Sequence, residues 1–373
     1  MTTNSPSSAL FQPADLGGLR LPNRLVMAPM SRTRAAADGT PTPLMAAYYA
    51  QRASAGLIVA EAATPNPVGQ TYAHIPGIHR PEHLAGWRTV TEAVRQAGGR
   101  MFLQLQHGGR IGHPENSGLL PVAPSPVALP DTVHTASGHR PAVVPLELTV
   151  DQIDATVADF ARAARDAVAA GFAGVEVHAA NGYLLHQFLA PSSNRRTDGY
   201  GGPVANRIRF VREVVRAVVA AVGPQRVGVR VSPGFSGNGI DEGDTAELYR
   251  ALVPALAEEG PAYLHVVFAD PDSPVFRQLR ADWPGTLIAN PDLGWGAPLP
   301  ADGGRAAAER LLAAGAELIS FGRGFLANPD LVERLRTGAP LNEPRGHQMY
   351  SGGAEGYTDY PTLAQTRPLA ELS

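Results

Sequence analysis

With 373 residues, 44% hydrophobic and 17% charged, and with 40 Gly and 34 Pro, the chain is a loop-rich globular protein long enough to bury a large core. Its net charge of −3 leaves no basic surface for nucleic acid, no apolar run is long enough for a membrane helix, and the N-terminus lacks a basic-then-apolar secretion pattern, so a cytoplasmic protein is expected. Cys is absent and all 31 cationic side chains are Arg, which excludes disulfides, thiolate nucleophiles, cysteine-held zinc, iron–sulfur clusters, and Schiff-base, P-loop or pyridoxal lysines.

Short β-branched runs then alternate with helical patterns along the whole chain. A strand at 24–28 precedes Thr42-Pro43, an N-cap and first helical residue, and a stop at Gly56. Strands at 57–60 and 101–105 follow. Next comes 107–148, a stretch rich in Pro, Ser and Gly that is too long for an ordinary connection and reads as a lid or capping excursion over 108–148. Thr149 and Gln152 form a capping box for a helix to about residue 170. After a strand at 174–177, the segment 204–222 sets Ile208, Val211, Val215, Val218 and Val222 on one stripe and stops at Gly223-Pro224. A strand at 226–231 leads to a helical pattern at 245–259, which Pro254 is expected to kink or end early. Strands at 263–267, 286–289 and 317–321 bring the count to eight. Eight β/α units without a G-x-G-x-x-G after the first strand predict an α/β protein of the (β/α)8 TIM-barrel type, one domain over 1–373, in place of a doubly wound sheet.

Alternate strand residues point into a barrel, and active sites form at the C-terminal strand ends. On that alternation Gln104, Glu176, His178 and Arg230 face inward. A guanidinium there needs an anionic or accepting partner, either Glu176 or a bound polar cofactor. His178 and Asn181, three residues apart in a turn, can donate to one substrate oxygen, and Tyr183 can supply a proton. Gly322-Arg323 after the last strand suits a phosphate through close backbone approach and a guanidinium fork. The early-loop histidines match no metal motif, so no metal site is expected.

The runs Asn23 to Arg32, Glu61-Ala62, Phe102 to Arg110, Gly174 to Gly202, Phe321-Gly322-Arg323 with Asn328-Pro329-Asp330, and Tyr350 to Pro361 together resemble the Old Yellow Enzyme family of flavin-dependent alkene reductases. The resemblance implies non-covalent FMN beside Pro29, Met30, Ser31 and Ala62. Gln104 and Arg230 would bond its pyrimidine edge, and Asn290, Gly322 and Arg323 would hold its phosphate. It further implies a substrate pocket of Tyr72, His178, Asn181 and Tyr350, with Tyr183 as proton donor. NADPH or NADH would reduce the flavin, which then reduces activated C=C bonds of α,β-unsaturated carbonyl or nitro compounds in a ping-pong cycle. Neither a monomer nor a homo-oligomer is indicated.

Three departures stand out. Gln106 occupies a position where many members carry Trp, Ser31 keeps a hydroxyl beside the flavin, and Asn290-Pro291-Asp292 replaces a Gly-rich turn, where Pro291 offers no N–H. Two other classes fit the barrel: a non-redox lyase, isomerase or hydrolase with His178 as base, and a flavin-binding protein without turnover.

Overall fold

The computed structural model describes residues 8–294 and 296–366; residues 1–7, part of the segment read against a secretion signal, lie outside the described residues. Eight parallel strands close into a barrel: β1 (Leu25–Met27), β2 (Leu57–Ala63), β3 (Met101–Leu105), β4 (Gly174–His178), β5 (Val227–Val231), β6 (Tyr263–Ala269), β7 (Thr286–Pro291) and β8 (Leu318–Phe321). Each strand is followed by a helix: α1 (Pro43–Ala50), α2 (Pro81–Gln96), α3 (Val150–Ala169), α4 (Arg209–Val222), α5 (Thr245–Glu259), α6 (Pro274–Asp282), α7 (Arg305–Ala313) and α8 (Leu331–Thr337). This is the (β/α)8 barrel expected from the eightfold alternation. Among the described residues no helix is long and apolar enough to cross a membrane.

Local chemistry explains the helix boundaries. The Thr149–Gln152 capping box forms with both of its hydrogen bonds and opens α3. The 204–222 helix is divided at Ile208 into a short turn, Val204–Arg207, and α4, whose Phe210, Val211, Val214, Val215 and Val218 face the core. α5 does not stop at Pro254, a correction to the early end expected there. Leu248, Leu252, Val253 and Leu256 are buried along it, at about 1.5–3 kcal/mol each. That outweighs the roughly 3 kcal/mol an interior proline costs.

The barrel interior is layered. Its floor is apolar: Val26, Leu57, Val59, Phe102, Tyr263, Ile288 and Leu318 pack against Leu16 and Leu21 of the hairpin formed by Ala14–Leu16 and Leu19–Leu21. Gly174 and Gly228 leave room for the floor rings, because a Cβ there would lie 2.5 Å from Phe102 and 2.0 Å from Tyr263. Polar side chains lie above this floor. The excursion between β3 and α3 carries its own antiparallel hairpin, Thr132–Thr135 with Gly138–Pro141. Its Ile111, Leu129 and Val133 form a small buried cluster against which Tyr72 and Tyr183 pack.

Candidate active site

Strand register builds the polar layer. Gln104 on β3 is level with Glu176 on β4, His178 on β4 with Arg230 on β5, and Arg230 with His265 on β6. The four inward residues expected from alternation thus meet at one end of the barrel, joined by His265. Glu176, without exposure, accepts from Gln104 Nε2 at 2.8 Å and from Tyr263 Oη at 3.1 Å, and its Oε2 lies 2.8 Å from His265 Nδ1. Burial works against its charge, yet His265, Arg230 and the Gln104 bond hold the carboxyl at about 2. Burial, with Arg230 adding to it, drives the His265 imidazole down to about 4.

Arg230 does not touch Glu176 directly. Its Nη1 lies 2.6 Å from His265 Nε2, and that nitrogen also lies 2.7 Å from Ser320 Oγ. His265 escaped the sequence reading because Tyr-Leu-His-Val-Val reads as an ordinary buried strand. Its alternation with the inward Tyr263 was the available clue.

The turn after β4 brings together His178, Asn181 and Tyr183. His178 is buried, its Nδ1 has no hydrogen-bond partner among the described residues, and burial, reinforced by Arg230, pushes it down to about 3. It is a neutral imidazole. Asn181 takes a left-handed backbone, φ 54°, which Asn tolerates better than most residues. Loop residues after β5 hold it there: Asn181 N donates to Ser232 Oγ at 2.8 Å, and Asn238 Nδ2 donates to Asn181 O at 2.8 Å. Tyr183 packs edge-on against His178, ring centroids 5.0 Å apart, and its hydroxyl lies 3.4 Å from that of Tyr72. Burial and the neighbouring Tyr72 push the Tyr183 phenol well up, so it keeps its proton.

Beneath this turn a second buried pair went unread in the sequence. His186 Nε2 lies 2.8 Å from Glu242 Oε1, and His186 Nδ1 accepts from Gly182 N at 3.1 Å, which ties the loop after β5 to the His178–Tyr183 turn.

The loop after β1 supplies Pro29, Met30 and Ser31, all half-buried, and β2 supplies the buried Ala62. Gln106 is not loose in the pocket: its Nε2 donates to Thr71 Oγ1 at 2.9 Å. The tail is pinned to the β1 loop. Arg34 donates to Met349 O at 3.0 Å and Gln348 O at 2.8 Å, and Arg32 donates to Met349 O at 2.9 Å and Gly356 O at 2.8 Å. Tyr350, between these anchors, is 55% exposed; burial raises the phenols of Tyr72 and Tyr183, and Tyr350 adds to both shifts.

The residues expected at a phosphate are engaged with backbone carbonyls. Arg323 donates to the carbonyls of Gly294, at 2.9 Å, and Ala297 beyond β7, and Asn290 Nδ2 donates to Ser320 O at 2.8 Å. Among the described residues no cluster of three or more His, Asp or Glu could hold a metal.

Three observations fit a flavin at the barrel mouth. Gln104 gives its amide NH2 to Glu176, leaving its carbonyl oxygen to accept from a ligand. Among the described residues Arg230 donates to protein only through Nη1, so its Nε and Nη2 are unspent there. His178 Nδ1 is a buried polar atom without a partner among the described residues.

The comparisons agree. The sequence profile described as the NADH:flavin oxidoreductase / NADH oxidase family matches residues 9–342. A probable flavin mononucleotide-dependent alkene reductase of Leishmania infantum is 42% identical, with 95% of this chain and 97% of that protein covered. Among solved structures, morphinone reductase in complex with tetrahydroNAD superposes with a TM-score of 0.88 at 43% identity, covering 96% of this chain and 99% of that one. The old yellow enzyme homologue of Zymomonas mobilis does so with a TM-score of 0.89 at 38% identity, covering 95% and 100%. Matched by profile, by sequence and by fold over nearly its whole length, the chain belongs to the Old Yellow Enzyme family of FMN-dependent oxidoreductases.

Proposed function

We propose that this protein is an ene-reductase that binds FMN without a covalent bond, takes reducing equivalents from NADPH or NADH, and reduces α,β-unsaturated carbonyl and nitro compounds at one shared site in two successive half-reactions. The supporting observation is the convergence on one turn of a neutral His178, an Asn181 held in left-handed backbone and a protonated Tyr183. When bound, FMN would supply hydride transfer from the nicotinamide to the β-carbon of the alkene.

The chain's own residues do the rest. His178 and Asn181 donate hydrogen bonds to the carbonyl or nitro oxygen, and these strengthen as negative charge builds there, which lowers the barrier more than it tightens ground-state binding. Tyr183 protonates the α-carbon. Tyr72 and Tyr350 line the pocket, and the 108–148 excursion caps its substrate side, as the packing of Ile111, Leu129 and Val133 with Tyr72 and Tyr183 supports. Pro29, Met30, Ser31 and Ala62 would flank the isoalloxazine, Gln104 and Arg230 would bond its pyrimidine edge, and Asn290, Gly322 and Arg323 would hold the phosphate, Asn290 and Arg323 in exchange for their present carbonyl partners.

The test follows both half-reactions. Purified protein should be yellow or take up added FMN, bleach anaerobically with NADPH or NADH, and recover its colour on addition of 2-cyclohexenone. Tyr183→Phe should slow the recovery by about 10²-fold or more and spare the bleaching. A colourless protein that takes up no FMN would favour a non-redox barrel with His178 as base. Equal slowing of both halves would remove Tyr183 as proton donor.

A further inference from the structure

The proposed function, on which this inference rests, assigns Gln104 and Arg230 to a flavin edge but leaves open what orients the Gln104 amide and places the Arg230 donors. We propose that Glu176 is a positioning residue that dictates the donor and acceptor pattern of this edge, and thereby the selectivity of the site for the N3–H of a flavin and the reduction potential of the bound cofactor.

The argument starts from what a carboxylate can do: it accepts hydrogen bonds and never donates them. Glu176 is fully buried and contacts Gln104 Nε2 and His265 Nδ1, each at 2.8 Å. Gln104 must therefore turn its NH2 toward Glu176, which leaves its carbonyl oxygen as the acceptor offered to a ligand. The His265 imidazole, with one proton, must carry it on Nδ1. Its Nε2 is then the accepting nitrogen, with Arg230 Nη1 2.6 Å from it and 3.0 Å from Nδ1, and Ser320 Oγ 2.7 Å from it. So held, the guanidinium has its Nε and Nη2 donors free for a ligand. One carboxylate thus fixes an acceptor at Gln104 and, through the neutral imidazole, the position of the Arg230 guanidinium, which can only donate. The pyrimidine edge of a flavin places an N–H donor beside a carbonyl acceptor, the complementary pattern.

Glu176 also carries the negative charge that balances Arg230 across His265. Without it the guanidinium stands uncompensated and favours the reduced, anionic isoalloxazine ring over the oxidised, neutral ring.

Glu176→Gln breaks this logic at nearly constant volume. An amide offers one accepting oxygen and one donating nitrogen. One neighbour must then reverse: Gln104 turns its NH2 to the ligand, or His265 moves its proton to Nε2, against an Arg230 N–H.

The experiment strips the cofactor and reloads the wild type and Glu176→Gln with FMN and with 3-methyl-FMN, which lacks the N3–H donor. Dissociation constants come from flavin fluorescence and midpoint potentials from anaerobic dye titration. The wild type should bind FMN at least tenfold more tightly than 3-methyl-FMN. In Glu176→Gln this ratio should fall below threefold, and the FMN potential should rise by about 30 mV, a tenfold gain in preference for the reduced form. A variant that keeps the wild-type ratio and potential overturns the proposal, even if it melts at lower temperature, because a merely structural role changes stability alone. Failure of the wild type to take up FMN overturns the underlying functional reading instead. Should Glu176→Gln not fold, His265→Gln carries the test. It leaves the Glu176–Gln104 bond in place, so the FMN ratio should stay at its wild-type value while the potential moves by at least about 30 mV; an unchanged potential overturns the proposal.

Discussion

His178 shows how one residue's surroundings choose its role. Burial, helped by Arg230, holds its imidazole at about 3, far below the ordinary value for histidine, so at neutral pH it is an uncharged ring, suited to the proposed N–H donation and not to action as an imidazolium acid. A clamp of this kind has no titration of its own in the working range. Recovery of flavin colour by cyclohexenone should show no inflection from His178 between about pH 5.5 and 8. An inflection near pH 6.5 that disappears in His178→Ala would contradict this. Replacing both His178 and Asn181 with Ala should slow that half-reaction by about 10²-fold or more while FMN stays bound, since one such donor is worth roughly 10²–10³ in rate. Unchanged enone kinetics would defeat the clamp. His178, Gln104 and Arg230 were legible one at a time because alternation along a single strand tells which side chains face inward. That His265 joins them depends on its register with Arg230, and no single strand reports register.

Among elements, the joint between the β1 loop and the C-terminal tail decides how Tyr350 is presented. Arg32 and Arg34 lie against the Tyr357 ring at 5.0 and 4.9 Å, and Tyr357 stacks on Tyr48 with centroids 4.0 Å apart. A guanidinium suits this buried aromatic setting because it is weakly hydrated and donates in several directions to backbone carbonyls. Arg34→Ala removes the bonds to Gln348 and Met349 on the N-terminal side of Tyr350. The variant should keep its flavin and its rate of bleaching by NADPH. Its KM for cyclohexenone and its Kd for a phenol ligand should each rise about five- to tenfold, the equivalent of roughly 1–1.4 kcal/mol. Wild-type values for both would show that the anchor does not position Tyr350. Sequence patterns marked Tyr350 only through family resemblance. The arginines that hold its segment lie more than 300 positions away, beyond the reach of any local periodicity.

At the scale of the molecule, buried titratable groups set the response to acid. Burial holds His107 and His178 at about 3 and His265 at about 4, so in the folded chain all three stay neutral where the unfolded chain takes up protons, below about pH 6.5. Their contribution to stability is complete above that value and is lost as pH falls toward the folded values. Glu61 opposes them. Burial raises it to about 7, against bonds from Arg32 N–H and Tyr49 Oη, so near pH 5.5 the folded chain keeps a proton there that the unfolded chain has released. Three protons against one leaves the unfolded state ahead, and stability should fall on acidification with a slope that steepens below neutrality to about 2–3 kcal/mol per pH unit near pH 5.5. Thermal unfolding of the FMN-loaded protein should therefore show a melting temperature that drops steadily from pH 7.5 to about 5.5. A constant or rising value would contradict the assignment of these histidines as neutral.

The amino-acid sequence alone determined the eightfold alternation, the sides of each strand, the capping box at Thr149 and the exclusion of cysteine and lysine chemistry, because these follow from composition or from backbone geometry over a few consecutive residues. The tertiary structure decided the rest: α5 running past Pro254, Arg230 reaching Glu176 through His265, Arg323 and Asn290 turned to loop carbonyls, and the tail fastened by Arg32 and Arg34. The physical reason is common to all four. A buried polar group, or a helix carrying a proline, settles its free energy with whatever partners packing brings beside it, and those partners come from strands and loops far away along the chain.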